Sequence, residues 1–213
     1  MDKSNDKVIL RGENVHKWFG AVHALKGVDF DIKEAEILGL VGGNGAGKST
    51  LIKILSGVYQ KDRGKIFLRG KEVSFSSPME ARKAGIETVY QDQALIEDLN
   101  VAQNIFLTRE ITRSFGVVDD DKMIEESAKL VDALGLSISS IRKEVRFCSG
   151  GERQGIALSR AIYFKAKLVL LDEPTTALSY EGRKKVFNLI ERMREEEGIS
   201  FVVISHDIER IYT

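Results

Sequence analysis

ILGLVGGNGAGKST, residues 37–50, decides how this chain folds. Ile37–Val41 reads as a buried β-strand, and LIKILSG, residues 51–57, continues with the spacing of an apolar helix face. Between them lies G-x-x-x-x-G-K-[ST], the pattern that curls a backbone until successive N–H groups point inward at phosphate oxygens. Gly42, Gly43, Asn44, Gly45, Ala46 and Gly47 would form that cradle, with Lys48, Ser49 and Thr50 opening the helix. In this arrangement Lys48 reaches the β- and γ-phosphates of a nucleoside triphosphate and the Ser49 hydroxyl ligates Mg²⁺. The alternative is a glycine-rich turn with no ligand; the complete strand–loop–helix context argues against it.

An acidic strand end is expected beside such a loop, and LVLLDEP, residues 168–174, supplies one. Four apolar residues make a buried strand, and Asp172 stands at its C-terminal end, where open α/β sheets bind ligands. Asp172 would hold Mg²⁺ through water, and Glu173 would orient or deprotonate the attacking water. The bland alternative is a strand end with two solvated acids. Adjacent Asp and Glu favour hydrolysis over transfer to a bulky acceptor. A further strand, Phe201–Ile204, runs into Ser205-His206-Asp207, so His206 emerges from the same kind of strand end and could donate to the γ-phosphate or the water. His16 and His23 lack that context and read as surface or packing residues.

CSGGERQ, residues 148–154, is ambiguous by itself. Ser149 with Glu152 three residues on fits a capping box. The same segment leaves backbone N–H groups and the positive end of a helix dipole able to face an anion.

The 213 residues suit one large α/β domain or two small ones. Thirty-two acidic and thirty-two basic residues balance, which gives no nucleic-acid footprint. Cys148 is the only cysteine and allows no internal disulfide, which fits a reducing compartment. MDKSNDKVILRG has no secretory h-region, and no apolar run is long enough to span a bilayer. The expected location is cytoplasmic, with any membrane role supplied through a partner.

Strands are expected at Val8–Arg11, Val28–Ile32, Ile37–Val41, Gly64–Leu68, Glu87–Tyr90, Leu168–Leu171 and Phe201–Ile204, and helices starting at Lys48, Pro78, Asn100, Asp120, Gly151 and Gly182. Asp119, Asp120 and Asp121 invite a metal reading, but acids in a helix's first turn, favoured by its dipole, explain them more simply. The stretch from about residue 95 to 165 is mostly helical while its flanks carry the strands, which suggests a helical insertion in an α/β core.

GGNGAGKST, VYQDQ, CSGGERQ, LVLLDEPTTALS and ISHD, in that order, resemble the ATP-binding subunit of ABC transporters, over nearly the whole chain. GIETVYQD and LNVAQNIFLTRE look most like the importers of simple sugars such as ribose. The resemblance implies an α/β fold: a P-loop NTPase core with a mostly parallel sheet, an N-terminal antiparallel β part and the inserted helical subdomain. It implies ATP and Mg²⁺ as ligands. Gln91 would touch Mg²⁺ and the water and link the core to the helical part that meets the membrane subunit. Phe19 would stack on adenine, with Trp18 as runner-up; the alternative is that both rings are merely packed. Ser149, Gly150 and Gly151 would contact the γ-phosphate bound by the other subunit of a head-to-tail homodimer, so they would be both cap and receptor. The implied partners are transmembrane permease subunits and an extracytoplasmic sugar-binding protein, with the chain peripheral on the inner face of the cell membrane.

Some positions depart from that pattern. Cys148 stands for leucine, Glu152 for glutamine, Ser179 for aspartate, and Gly43 for proline or glutamate. Glu152 puts a carboxylate near phosphates, which weakens a closed dimer unless it serves the cap; Ser179 alters a loop expected to cross the dimer interface. The resemblance also makes residues 1–213 a single ATPase domain that is C-terminally incomplete, with room for a second domain beyond Thr213. A soluble ABC ATPase of DNA maintenance would carry long coiled coils between Thr50 and Cys148, where no heptads are sustained. A translation-associated ABC protein would show two motif sets, and intact Lys48, Asp172 and Glu173 disfavour a non-ATPase module.

Overall fold

The computed structural model of the chain describes residues 7–90, 94–175 and 178–204. Two compact units divide it: Met1–Thr88 with Ala166–Glu173 and Ile190–Thr213, and Val89–Lys165 with Pro174–Leu189.

The first unit carries both sheets. β1 (Val8–Phe19) and β2 (Val22–Lys33) form a long antiparallel hairpin, closed at the Phe19–Val22 pair by Gly20-Ala21. Gly20 there has φ of 58°, a left-handed turn conformation that suits glycine. β4 (Arg63–Leu68) pairs antiparallel with β1, and the two-residue β5 (Lys71–Glu72) pairs with β4, in the order β2-β1-β4-β5.

In the second sheet β3 (Ile37–Leu40), β8 (Ser200–Ile204), β7 (Leu168–Asp172) and β6 (Ile86–Val89) lie in that order, with β3 and β7 parallel to β8. Every residue of β8 and Leu168–Leu171 of β7 are buried, the condition under which parallel strands read as unbroken apolar runs. α1 (Lys48–Leu55) follows β3 and buries Leu51, Ile52, Ile54 and Leu55. Those side chains join Ile9, Leu10, Val15, Leu25, Ile32 and Ile66 from the antiparallel sheet and Leu168, Leu170, Val202 and Ile204 from the parallel one in a single core. α2 (Pro78–Lys83) starts from Ser77, whose hydroxyl accepts the Glu80 N–H.

The second unit is helical. α3 (Val101–Ile105) starts from an Asn100–Gln103 capping box, α4 (Asp120–Ala133) from Asp119 and α5 (Gly150–Tyr163) from Ser149. Their core is Val101, Ala102, Ile105, Phe106, Met123, Val131, Val145, Cys148 and Ile156. The fully buried Asn104 amide donates to the carbonyls of Ile96, Leu99 and Asn100 and accepts the Ile96 N–H, so the segment before α3 is wrapped around one side chain. α6 (Tyr180–Glu197), which belongs to this unit up to Leu189 and to the first unit from Ile190, buries Val186, Leu189, Ile190 and Met193, one helical stripe. Among the described residues no helix is long and apolar enough to cross a membrane.

The chain thus has the expected α/β architecture, with an antiparallel N-terminal sheet and a parallel sheet. The expected strands Val8–Arg11 and Val28–Ile32 are the far ends of a much longer hairpin. Register irregularities break the alternation along it, between Gly12 and Val15 for example, and hide its extent from a period-two reading. Asp119 is a helix cap: its carboxylate accepts the Lys122 N–H at 3.1 Å and pairs with Arg113.

Candidate nucleotide site

The C-terminal ends of β3, β7 and β8 lie side by side, since Leu40 pairs with Ile204 and Ile204 with Asp172. The phosphate-loop sequence leaves one of those ends, and Asp172-Glu173 leaves another. Gly42, Gly43, Asn44, Gly45 and Ala46 are exposed, with Gly42 and Gly45 at φ of 152° and 80°. Gly47 caps α1 with no side-chain bond, at φ of 90°. A Cβ there would lie 2.7 Å from both the Ala24 carbonyl oxygen and Leu25 Cδ2, so only glycine lets the helix start this close to β2.

The Lys48 ammonium donates to the carbonyls of Gly42 at 2.6 Å and Gly43 at 3.0 Å, so it is folded over the loop it follows. The Ser49 hydroxyl donates to Asp172 Oδ1 at 3.4 Å, across 123 residues of chain. Thr50 is half-buried. Burial pushes the Asp172 carboxyl up and the neighbouring Glu173 charge adds to it, while Ser49, Lys53 and Lys48 act in the other direction. Glu173 has φ of 53°, unusual for a side-chain-bearing residue, and its N–H donates to the Ile204 carbonyl at 3.1 Å. That bond continues the β7–β8 ladder while the backbone turns the carboxylate off the strand.

Phe19 ends β1, is 42% exposed and packs edge-on to Tyr59 at 5.2 Å. Trp18 is engaged elsewhere, stacked on His23 at 4.1 Å and beside His16 at 5.2 Å, with Arg63 at 5.5 Å from its ring. His16 Nδ1 and His23 Nε2 lie 3.0 Å apart, so the two histidines are one packed, hydrogen-bonded group.

The SGG segment lies in the second unit. Ser149 Oγ accepts the Glu152 N–H at 3.2 Å, and Glu152 Oε2 accepts the Ser149 N–H at 2.6 Å, a complete capping box. Lys143 Nζ stands 3.8 Å from the same Glu152 oxygen. The Glu152 carboxylate is therefore turned to the cap. A Cβ on Gly151 would meet nothing within 4 Å, so this turn is open on that side, whereas one on Gly150 would meet Leu178 at 2.6 Å. Cys148 is buried, with its thiol pushed up by that burial. Ser179 Oγ accepts the Gly182 N–H at 3.2 Å, which makes it a first-turn cap for α6. Gln91 and His206, with Ser205, Asp207 and Ala177, lie outside the described residues.

A phosphate loop between a parallel strand and a helix, beside an acidic strand end, defines the P-loop nucleoside triphosphatase class. The profile of the family described as ABC transporter matches residues 25–176. This chain belongs to the ABC transporter family. It is 48% identical, over 96% of its length and 80% of the relative's, to the xylose/arabinose import ATP-binding protein of Sulfolobus acidocaldarius. It is 40% identical to the ribose import ATP-binding protein of Caldanaerobacter subterraneus, over 96% of its own length but only 41% of that relative's. Among solved structures it resembles a nucleotide-free ATP-binding cassette from an ABC transporter, with a TM-score of 0.85 and 24% identity over 96% of this chain and 84% of that one, a likeness of fold. A dimeric post-hydrolysis cassette bound to ADP and phosphate aligns with a TM-score of 0.77 and 26% identity, over 94% of this chain and 89% of the other.

Proposed function

We propose that this chain is the ATP-hydrolysing subunit of an importer of simple sugars. The observation that carries the reading is the convergence of Lys48, Ser49 and Asp172 on one edge of the parallel sheet. Lys48 would exchange the Gly42 and Gly43 carbonyls for phosphate oxygens, and the loop N–H groups, exposed at a helix start, would receive the rest of the triphosphate. Ser49 Oγ and Asp172 Oδ1 are hard oxygen donors within hydrogen-bond distance, a set that fits Mg²⁺. When bound, that ion neutralises charge on the phosphate oxygens. A cation there would also relieve the burial and like-charge repulsion that raise the Asp172 carboxyl.

Glu173 orients and deprotonates the attacking water. Its left-handed backbone is the strain expected where a strand end is bent to aim a side chain. Gln91 and His206 complete the water and γ-phosphate contacts, as the family resemblance implies. Phe19 stacks on adenine; its exposure supports it over Trp18, which is occupied by the histidines. Ser149, Gly150 and Gly151 meet the γ-phosphate held by a second copy. The open side of Gly151 and the dimeric cassette among the similar structures support that reading. The sugar, permease and extracytoplasmic binding-protein partners, and a place on the inner face of the membrane, rest on the sugar-import relatives.

Titration of a fluorescent ATP analogue tests the core of the reading. Lys48→Ala should weaken binding roughly ten- to hundredfold, the worth of one lost charge-assisted contact. Unchanged affinity would refute the assignment. Co-purification from membranes, with identification of the bound permease, tests the transport role.

A further inference from the structure

The β1 strand loses a neighbour just before it reaches Phe19. Its ladder with β4 ends at the His16–Arg63 pair, while its pairing with β2 continues through Trp18–His23 to Phe19–Val22. On the β4 side the next donor, the Trp18 N–H, is taken by a side chain: Asp62 Oδ2 accepts it at 2.6 Å. The other oxygen of Asp62 accepts from Lys17 Nζ at 3.0 Å, and the Asp62 N–H donates to the His16 carbonyl at 2.9 Å. One residue therefore holds three consecutive positions of β1 immediately before the exposed ring. Both side-chain bonds favour the ionised carboxylate and hold Asp62 below the ordinary carboxylate range.

Lys17 is mostly buried, at 15% side-chain exposure, and its ammonium sits 5.5 Å from the centroid of Phe19. Asp62 thus fixes a cation against the ring as well as the backbone behind it. Tyr59, edge-on to Phe19, has its N–H bonded to the Lys53 carbonyl of α1, the helix that opens at the phosphate loop. The ring is tied on one side to the helix that would receive the triphosphate and on the other to Asp62.

We propose that Asp62, through Lys17 and the Trp18 N–H, is the positioning residue that presents Phe19 to the purine base of the nucleotide. The inference rests on the stacking role given to Phe19 above and adds the device that makes an exposed hairpin tip rigid enough to stack. Order matters there because a stacked ring contributes only what remains after its own immobilisation.

The test compares ATP with inorganic tripolyphosphate, which shares the phosphates and lacks the base, by calorimetric titration of the full chain. Phe19→Ala should raise the Kd for ATP roughly five- to hundredfold, as removal of a base-stacking aromatic does. Asp62→Ala should raise it roughly three- to tenfold, a loss within the range of one ordinary net hydrogen bond, since the residue acts on the base only through the ring it positions. Neither should change the Kd for tripolyphosphate. Asp62→Asn, which keeps an acceptor for the Trp18 N–H, should fall between wild type and Asp62→Ala. Asp31→Ala breaks the exposed Arg11–Asp31 pair on the same hairpin and should leave the ratio of the two affinities unchanged.

If Asp62→Ala does not fold, Lys17→Met carries the same prediction, since it keeps the backbone bond and removes only the cation. Loss of both ligands in equal measure would show a structural role alone and overturn the proposal. So would a response of Phe19→Ala without one from Asp62→Ala, which leaves the stacking reading standing. No response from Phe19→Ala would remove that reading and the proposal with it.

Discussion

The phosphate loop and the SGG segment both open a helix, yet they open it in opposite ways. At α1 the cap is a glycine with no side-chain bond, held against β2 where a Cβ would collide, and polar groups from distant sequence come to it: Asp172 reaches Ser49. At α5 the cap is closed by its own turn, Ser149 with Glu152, and Gly151 faces open space. The first helix start is built by the sheet beneath it. The second is complete in sequence-local terms and offers a surface. A catalytic pocket needs convergence of side chains from several strands, whereas a receptor for a partner's phosphate needs only uncovered backbone and a rigid turn.

The largest expected effect sharpens the first half of that contrast. Glu173→Gln should keep ATP affinity while turnover falls roughly 10²- to 10⁴-fold, the range for a lost general base. Full turnover in the variant would separate the strained strand end from the chemistry. Single-turnover assays alongside binding titrations make the distinction.

Next in size is the test that breaks the contrast if the SGG segment is only a cap. Ser149→Arg and Lys48→Ala proteins should each hydrolyse ATP poorly. Mixed, they should regain activity above either alone, because one of the two sites in the heterodimer pairs an intact signature with an intact loop. Heterodimers that form and stay inactive would reduce Ser149 to its capping role. That role is measured separately: Ser149→Ala should cost about 1 kcal/mol and lower the Tm by a few degrees.

Gly47→Ala probes the other helix start. A left-handed residue with a Cβ carries roughly 1–3 kcal/mol of strain, and here the Cβ also meets the Ala24 carbonyl. The Tm should fall by roughly 2–10 °C, with weaker ATP binding. The same substitution at Gly151, where nothing lies within 4 Å, should leave Tm within about 2 °C of wild type.

The smallest effect is a pH dependence. Burial and then the Glu173 charge raise the Asp172 carboxyl above its ordinary value, so the folded chain binds more protons than the unfolded one in that window. Stability therefore falls as pH rises from the ordinary carboxylate value of 3.8 through the raised folded value, and the deficit persists at neutral pH. Asp172→Asn should melt slightly higher than wild type at pH 7 without nucleotide, and the difference should shrink as the pH falls toward 4. A gap that widens on acidification would contradict the assigned direction.

The strongly patterned parts of the fold were legible from residues alone. Leu168–Leu171 and Phe201–Ile204 are continuous apolar runs because parallel strands are covered on both faces, and the helix starts at Pro78, Val101 and Asp120 carry their caps in the preceding letter, Ser77, Asn100 and Asp119. The hairpin of β1 and β2 was legible only far from its turn, at the apolar run Val8–Leu10 and the alternating Val28–Ile32; across its middle, partly exposed residues and shifts of register erase the pattern. β5 is two charged residues and carries no signal at all.

Within the candidate site, the local motif Gly42–Thr50 and the acidic pair Asp172-Glu173 could be read in sequence because one stretch of chain encodes each. What those residues touch could not. The Ser49–Asp172 bond spans 123 positions, the left-handed turn at Glu173 comes from continuing the β7–β8 ladder past the strand, and the distinction between an occupied Trp18 and an exposed Phe19 depends on which neighbours β2 places beside them. Asp62 is the sharpest case. In sequence it is one acid in a polar turn, and only the early end of the β1–β4 ladder creates the vacant N–H that it fills. Local signals are written within one turn or one strand, so the sequence by itself determined the strongly patterned elements and the candidate chemistry-bearing residues; register and the meeting of distant segments exist only once the chain is folded, so the tertiary structure alone decided which of those residues lie together.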